Sequence, residues 1–143
     1  MFRLLDLRRG KAPAEVARML LLRPGEAVVI LRRVLEYSGT PVVLDEMTLP
    51  AALFKGLTRA RYDAYEGSTY SFFETQFGVR MVRADEHLTA IAADRSSAQI
   101  LQVAPGSPLL AVERVAYTYG DRPVEWRRGL CTTKNHYYLN QLG

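Results

Sequence analysis

A repeated segment constrains the fold of this chain more than any other feature of its sequence. When the sequence is shifted by 81 positions, residues 17–34 align with residues 98–115 without a gap, and six positions are identical. Both copies carry a Pro-Gly pair followed by an apolar run, which predicts a turn that leads into a strand. Because a solenoid needs at least three copies, two copies indicate a duplicated structural unit. The alternative is that two unrelated helix–turn–strand units resemble each other by chance.

Each half of the chain is predicted to contain a strand, a helix and a two-stranded hairpin. The first half has a strand, a loop, a helix and two strands, at residues 2–7, 8–12, 14–20, 27–37 and 40–49. The second half has a strand, a helix and two strands, at residues 79–92, 95–101, 109–119 and 122–132, and Asp94 is placed to cap its helix. Two such units predict an α+β fold, in which flanking helices cover an antiparallel sheet.

The segment between the two units is unique and is expected to cover one side of the scaffold. Residues 51–57 resemble a short helix or an irregular turn, and residues 58–67 are polar and poorly patterned. Ser68 is placed to cap a helix that ends at Gly78. A last helical turn or two is predicted over residues 135–142.

Composition places the chain among ordinary globular proteins. Its 143 residues suit a single domain, and 48% are hydrophobic while 24% are charged. No apolar run is long enough to span a bilayer, and no signal segment opens the chain. With Cys131 as the only cysteine there is no internal disulfide, which fits a reducing compartment and a cytoplasmic location.

The charge of the chain favours a small anionic partner over nucleic acid. The net charge of +4 comes from sixteen arginines and three lysines against 15 acidic residues. The arginines are scattered, without the basic run that follows a nucleic-acid backbone. Since the guanidinium group pairs well with carboxylates and phosphates, an anionic metabolite is the better expectation.

The sequence carries no catalytic or metal-binding signature. A Gly-rich phosphate loop, a Gly-x-Ser-x-Gly elbow and a His-Glu-x-x-His helix are all missing. His87 and His136 lie in different elements and make no metal spacing with Cys131. We therefore predict no catalytic residues, no metal and no cofactor, with His136 partly exposed beside aromatic residues and Cys131 a small hydrophobe on a strand.

Charged residues inside otherwise apolar strands are the candidates for binding. A two-residue turn at Ser38-Gly39 would set Arg32 opposite Asp45, whereas a three-residue loop would set Arg33 there. In the second hairpin a two-residue turn sets Glu113 against Arg128. The same register sets Arg114 against Arg127, a pair that repels unless an anion lies between them. The alternative is a solvated sheet face on which these charges form weak exposed pairs.

Together these pieces resemble the UTRA domain, the effector-binding domain of GntR-type transcription regulators of the HutC subfamily. The resemblance covers nearly the whole chain. The matching pieces, in order, are PGE, a Val/Ile strand, Arg33, Gly39-x-Pro41, Leu49-Pro50, Ser68-Thr69-Tyr70, FFETQFGV, AxEHLTA and APGSPLLAVERVAYTYGDRPVEW. The resemblance implies a fold like that of chorismate lyase, and a homodimer. It also implies that DNA is bound only through an N-terminal winged helix-turn-helix domain, for which residues 1–143, read as one domain, leave no room.

The resemblance also implies which residues contact the effector. The matching positions are Arg33, Asp45, Ser68, Tyr70 and Glu125, and we add Glu46, Arg114 and Cys131 as further pocket residues. The chain departs from the family pattern at Leu35, where the family has an arginine, and at Cys131, where it has a tyrosine. The expected effector is a sugar phosphate, an amino acid or another carboxylate. A chorismate-lyase-like enzyme and a dimerisation module without a ligand remain the alternatives.

Overall fold

The structure, a computed structural model, describes residues 2–142. Six strands run β1 (Phe2–Lys11), β2 (Ala27–Tyr37), β3 (Thr40–Pro50), β4 (Arg83–Ala92), β5 (Pro108–Thr118) and β6 (Arg122–Thr132). Four helices are α1 (Ala14–Met19), α2 (Arg59–Ala64), α3 (Thr69–Phe77) and α4 (Arg95–Leu101). Short 3-10 turns lie at Ala51–Leu53 and Tyr119–Asp121.

The six strands form one antiparallel sheet in the order β1-β2-β3-β6-β5-β4. The two halves of this order mirror each other around the β3–β6 pair. Both bounds of β1 shift by 81 residues to give β4, and both bounds of β2 shift by 81 to give β5. The predicted α+β fold, built from two strand–helix–strand–strand units, is therefore confirmed.

Helices cover the two faces of the sheet differently. On the first face, α3 packs Phe72 and Phe73 against apolar residues of β2 and β3, including Leu31 and Met47. On the second face, α4 packs Leu101 and Ala98 against β2, β3, β5 and β6. The unique segment between the two units thus covers the first face, as its position in the sequence predicted.

A β-bulge in the first hairpin sets the register of its charged residues. The turn at Ser38-Gly39 has two residues, both with positive φ (51° and 77°), as type I′ turns require. Val42 has no partner across the ladder, so the register shifts by one residue beyond it. Arg33 therefore lies opposite Asp45 even though the turn is short.

The register predicted for the second hairpin is confirmed by a different route. Three residues separate the paired ends Thr118 and Arg122, and a register shift follows between Ala116 and Tyr117. The longer loop and the bulge offset each other. Arg128 accordingly lies opposite Glu113, and Arg127 lies opposite Arg114.

Both predicted helix caps are confirmed. The Ser68 side chain accepts a hydrogen bond from the Ser71 N–H, and Asp94 accepts one from the Ser97 N–H. The latter bond lowers the pKa of Asp94 below its usual value. Helix α3 ends at Gly78 as predicted, and Gly78 adopts the left-handed conformation there.

Four local predictions were wrong. Helix α2 lies inside the segment read as poorly patterned, because its apolar contacts come from tyrosines rather than from aliphatic residues. Strand β1 continues to Lys11 instead of ending at residue 7, because its backbone keeps pairing with β2 where the side chains no longer alternate between apolar and polar. Strand β4 starts at Arg83 rather than at residue 79. Residues 135–142 form no helix, and ring stacking of His136 on Tyr37 holds this segment against the sheet.

Helix α3 is anchored by a fully buried phenylalanine. Phe73 has no exposed surface and lies edge-on to Phe54, with 4.9 Å between ring centroids. We predict that Phe73→Ala lowers the free energy of unfolding by about 3–5 kcal/mol in urea denaturation. The control Tyr119→Ala removes a ring that is 65% exposed and should change stability by less than about 1 kcal/mol. Equal losses in the two variants would contradict this assignment of the core.

Candidate functional site

A cavity of about 1160 Å³ lies on the first face, between the sheet and the segment that carries α2 and the start of α3. We call it cavity 1. Its lining combines polar and aromatic side chains: Phe2, Arg3, Leu4, Arg33, Glu36, Gly39, Arg59, Tyr62, Asp63, Tyr65, Glu66, Gly67, Ser68, Thr69, Tyr70, Phe72 and Arg127. Three of the five predicted effector contacts, Arg33, Ser68 and Tyr70, are among them.

Arg33 and Asp45 form a buried ion pair beneath this cavity. Arg33 is 1% exposed and Asp45 is 2% exposed. The Arg33 Nε and Nη2 groups both donate to Asp45 Oδ2, at 2.9 and 2.7 Å. The strand register predicted that a cation and a carboxylate would meet here, and the bulge at Val42 selects Arg33 as that cation.

The third nitrogen of Arg33 links the sheet to helices α2 and α3, which we call the helical cover. Its Nη1 donates to the Thr69 hydroxyl at 2.8 Å and to the Tyr62 hydroxyl at 3.1 Å. Thr69 is the first residue of α3, and Tyr62 belongs to α2. The guanidinium carbon lies 3.9 Å from the centroid of the Phe2 ring. Arg33 is thus held by four hydrogen bonds and an aromatic ring.

Tyr70, Glu125 and Arg127 continue the same network on the other side of Asp45. The Tyr70 hydroxyl donates to Glu125 Oε1 at 3.0 Å, and Arg127 Nη2 donates to Glu125 Oε2 at 3.3 Å. Burial, reinforced by the charge of Glu125, raises the pKa of Tyr70 well above its usual value, so its hydroxyl stays a donor. Burial disfavours the charged form of Arg127, but Glu125 and Asp45 outweigh it and raise its pKa.

The network is electrically balanced, because two arginines face two carboxylates. Arg127 Nε lies 3.8 Å from Asp45 Oδ1 and has no hydrogen-bond partner within the described part of the chain. Its side chain is 19% exposed and lines cavity 1. Arg127, rather than the fully enclosed Arg33, therefore presents a cation to the cavity.

A tyrosine ring explains how Arg114 and Arg127 tolerate each other across the strands. The Tyr70 ring centroid lies 5.5 Å from the Arg114 guanidinium carbon and 5.3 Å from that of Arg127. The Arg114 Nη1 atom also lies 3.7 Å from Oε2 of Glu86 on β4. The carboxylates and the π-face of Tyr70 offset the repulsion, so the pair requires no anion between its members.

The remaining predicted residues lie away from this network. Glu46 points to the second face, where its carboxylate is 3.9 Å from Arg32. Cys131 and Leu35 lie farther along the first face, outside the lining of cavity 1. Burial, together with the charge of Asp45, raises the pKa of Cys131, so its thiol stays protonated near neutral pH.

Three contributors were missed as site residues. Thr69 directly follows the predicted cap Ser68, and this adjacency was the available signal for it. Arg127 was noted only for its opposition to Arg114. Tyr62 sits on the helix that the sequence pattern did not reveal, so nothing pointed to it.

Within residues 2–142, no group of three or more His, Cys, Asp or Glu side chains is arranged to hold a metal ion. Among the same residues, none of the helices has the length and hydropathy needed to cross a membrane.

The Arg33–Asp45 pair should dominate the stability of this region. We predict that Asp45→Asn lowers the free energy of unfolding by about 3–5 kcal/mol, because it leaves a buried guanidinium unpaired. The control is Glu46→Gln, the neighbouring residue on the second face, whose side chain is 43% exposed and for which we expect less than about 1 kcal/mol. Urea denaturation followed by circular dichroism measures both, and a loss below about 1 kcal/mol for Asp45→Asn would contradict the role of the pair.

Comparison with known proteins agrees with this geometry. The UTRA domain family matches residues 1–136. The ligand-binding domain of a putative GntR-family transcriptional regulator from Bordetella bronchiseptica is 50% identical, with a TM-score of 0.96 over 100% of this chain and 88% of that one. An HTH-type transcriptional regulator of Mycobacterium tuberculosis is 31% identical over 81% of this chain and 42% of its own length.

A probable fructoselysine utilization operon transcriptional repressor of Escherichia coli is 27% identical over 76% of this chain and 44% of that protein. The chain therefore spans less than half the length of these two curated relatives. Since the family match covers nearly all of its residues, the chain belongs to the UTRA domain family, the effector-binding domains of GntR-family transcription regulators.

Proposed function

We propose that this chain binds a small anionic metabolite in cavity 1 and passes the binding event to a separate DNA-binding domain. One observation carries the proposal: a partly exposed arginine and the start of a capped helix border the same cavity. The first N–H groups of a helix lack partners within the helix and carry partial positive charge. Together with Arg127 they suit a phosphate or a carboxylate.

The effector class is a sugar phosphate, an amino acid or another carboxylate. Glu36, Asp63 and Glu66 border the cavity as well, so hydroxyl or amine groups of the same molecule have acceptors. Of the five predicted contacts, Ser68 and Tyr70 would face the ligand directly. Asp45 and Glu125 would act through the arginines that they hold.

The Arg33 hydrogen bonds suggest how binding could be passed on. An anion at the start of α3 would compete with the Ser68 side chain for the N–H groups there. The same turn contains Thr69, whose hydroxyl accepts a hydrogen bond from Arg33 on the sheet. The position of α2 and α3 over the sheet would then depend on occupancy of the cavity. In this proposal the helical cover is the element whose two positions the effector and the DNA-binding domain both bias.

The whole regulator is proposed to act in the cytoplasm, without enzymatic activity, and to bind DNA only through a domain outside this chain. The relatives are named as transcriptional regulators, which supports this over a lyase-like enzyme. The buried carboxylates and arginines of the network are also committed to one another.

Isothermal titration tests the binding proposal. The panel contains inorganic phosphate, sugar phosphates, amino acids, carboxylates and fructoselysine, the compound for which the Escherichia coli relative is named. For a ligand that binds, Arg127→Gln should weaken the affinity by about 10- to 100-fold, the effect of losing one charged hydrogen bond.

The control is Arg128→Gln, which removes the same charge from the adjacent residue. Arg128 faces the other side of the sheet, where it lies 3.5 Å from Glu113. Equal weakening in both variants would mean that only net charge matters. Failure of the whole panel would remove the anion assignment.

We also propose a homodimer that uses the β4 edge of the sheet. Strand β4 is an edge strand, and eight of its ten residues are exposed. Leu88, which is 48% exposed, shares the first face with Val112 on β5. A second copy covering this area would remove exposed apolar surface at the edge of the sheet.

Light scattering after size exclusion tests the dimer. We predict twice the mass of the chain for the unaltered protein and a shift toward the monomer for Leu88→Glu. Thr89→Glu adds the same charge on the opposite face of the same strand and should leave the dimer intact. A monomeric unaltered chain would refute the proposal, and dissociation by both variants would refute the assignment of the face.

A further inference from the structure

A second cavity lies on the first face of the sheet, apart from the charged network. It has a volume of about 570 Å³, and we call it cavity 2. Its lining comes from β2, β3, β5, β6 and the segment after β6: Leu35, Tyr37, Val42, Val43, Leu110, Cys131, Thr132, Thr133, Asn135, His136, Tyr137, Tyr138 and Leu139. The volume falls within the range of about 300–1000 Å³ that is typical of small-molecule sites.

Strand register builds the floor of cavity 2. One residue from each of four neighbouring strands forms a row across the sheet: Leu35, Val43, Cys131 and Leu110. All four side chains are only partly buried, so none of them is enclosed in either hydrophobic core. The floor is therefore apolar surface that faces the cavity.

The segment 133–139 forms the opposite wall and is attached at two points. The His136 ring stacks on Tyr37 at the end of β2, with 5.8 Å between ring centroids. The Tyr138 hydroxyl donates to Glu86 on β4, which raises the pKa of Tyr138. The segment thus crosses the sheet from β2 to β4.

The charge content of the two cavities differs sharply. Among the described residues that line cavity 2 there is no Asp, Glu, Lys or Arg, whereas cavity 1 has acidic and basic residues on its walls. A charged ligand in cavity 2 would lose hydration without gaining an ionic partner. Aromatic rings on the walls favour another ring, which can stack or meet them edge-on. A few hydroxyl, amide and imidazole groups remain to orient it.

We propose that cavity 2 is a second binding site, which takes an uncharged aromatic compound. The row at its floor consists of Leu35, Val43, Cys131 and Leu110, none of which carries a charged group. Apolar side chains at these positions give the cavity an uncharged floor. The proposal does not depend on what cavity 1 binds.

Cys131 provides a direct report on occupancy. It is the only cysteine of the chain, it is partly exposed, and it lies on the cavity floor. Alkylation by iodoacetamide, followed by intact mass, therefore measures access to cavity 2 alone. Because burial raises the pKa of the thiol, the reaction is run at alkaline pH, where enough thiolate forms.

Indole serves as the probe, and indole-3-acetate, which adds a carboxylate, serves as its charged counterpart. At a free indole concentration about ten times its Kd, about a tenth of the sites remain open, so alkylation of Cys131 should slow about tenfold. Indole-3-acetate should protect far less at the same concentration. An unchanged alkylation rate with saturating indole, or equal protection by both compounds, would overturn the proposal.

Variants locate the bound probe. Val43→Trp fills the cavity from its floor and should abolish the heat of indole binding in titration calorimetry. Val82→Trp adds the same ring at an exposed position outside the cavity and should leave binding unchanged. If Val43→Trp does not fold by circular dichroism, Leu35→Phe replaces it as a smaller filling. Indole binding that survives a folded filling variant refutes the site.

Indole binding in cavity 2 can be distinguished experimentally from anion binding in cavity 1. Arg127→Gln should leave the protection of Cys131 by indole unchanged, since Arg127 does not line cavity 2. Protection that disappears in Arg127→Gln would place indole in cavity 1 and overturn the proposal. Anion binding without indole protection would leave cavity 1 intact and remove cavity 2.

Discussion

The structure of the first face depends on the buried Arg33–Asp45 ion pair. A charge taken out of water is tolerated only where a partner and hydrogen bonds replace its hydration. Here two nitrogens of the guanidinium face one carboxylate oxygen, and the third nitrogen reaches two hydroxyls on the helical cover. The sheet and the cover are consequently joined by a polar contact as well as by apolar packing. Since polar contacts are directional, this one fixes where the start of α3 lies over the sheet.

The two related units form the scaffold, and the differences between their hairpins produce the network of charged residues. Arg33 and Arg114 are equivalent, 81 residues apart, whereas β3 and β6 differ by 82 because the second hairpin has the longer loop. Asp45 and Arg127 are therefore equivalent across the repeat, so one hairpin pairs opposite charges and the other pairs like charges. Tyr70, from the unrepeated segment, lies against both members of the like-charged pair, Arg114 and Arg127. The like-charged pair thereby became part of a balanced network.

The sequence could predict what depends on local pattern and on the repeat. Strands and turns, the Ser68 and Asp94 caps and the α+β class all follow from spacing and turn chemistry. The register at Asp45 could only be narrowed to Arg32 or Arg33, because a bulge at Val42 leaves no sequence signal as clear as the turn itself. Helix α2 and the path of residues 135–142 depend on tertiary contacts of tyrosines and of His136, which periodicity does not register.

The sequence could not predict how completely Arg33 is buried. Its type and position suggested an anion contact, whereas four hydrogen bonds and the Phe2 ring enclose it. The partly exposed arginine of the buried network is Arg127, and its neighbours in the sequence gave no reason to prefer it over Arg128. These two arginines differ in the face of the sheet that they occupy: Arg127 lies on the first face and Arg128 on the second. Which residue lies on which face depends on the register of the second hairpin.

One face of the sheet therefore holds two electrostatic environments in adjacent rows. Successive residues on one face of a strand are about 7 Å apart, so the row of Leu35 and Cys131 begins close to Arg33 and Asp45. The Asp45 charge is felt at Cys131, where it contributes to the raised pKa of the thiol. Neither Asp45 nor its arginine partners line cavity 2. An anion would gain from Arg127 in cavity 1 but would find no cation in the lining of cavity 2. If both proposals hold, the charge pattern of the sheet itself would direct anionic ligands to cavity 1 and uncharged ligands to cavity 2.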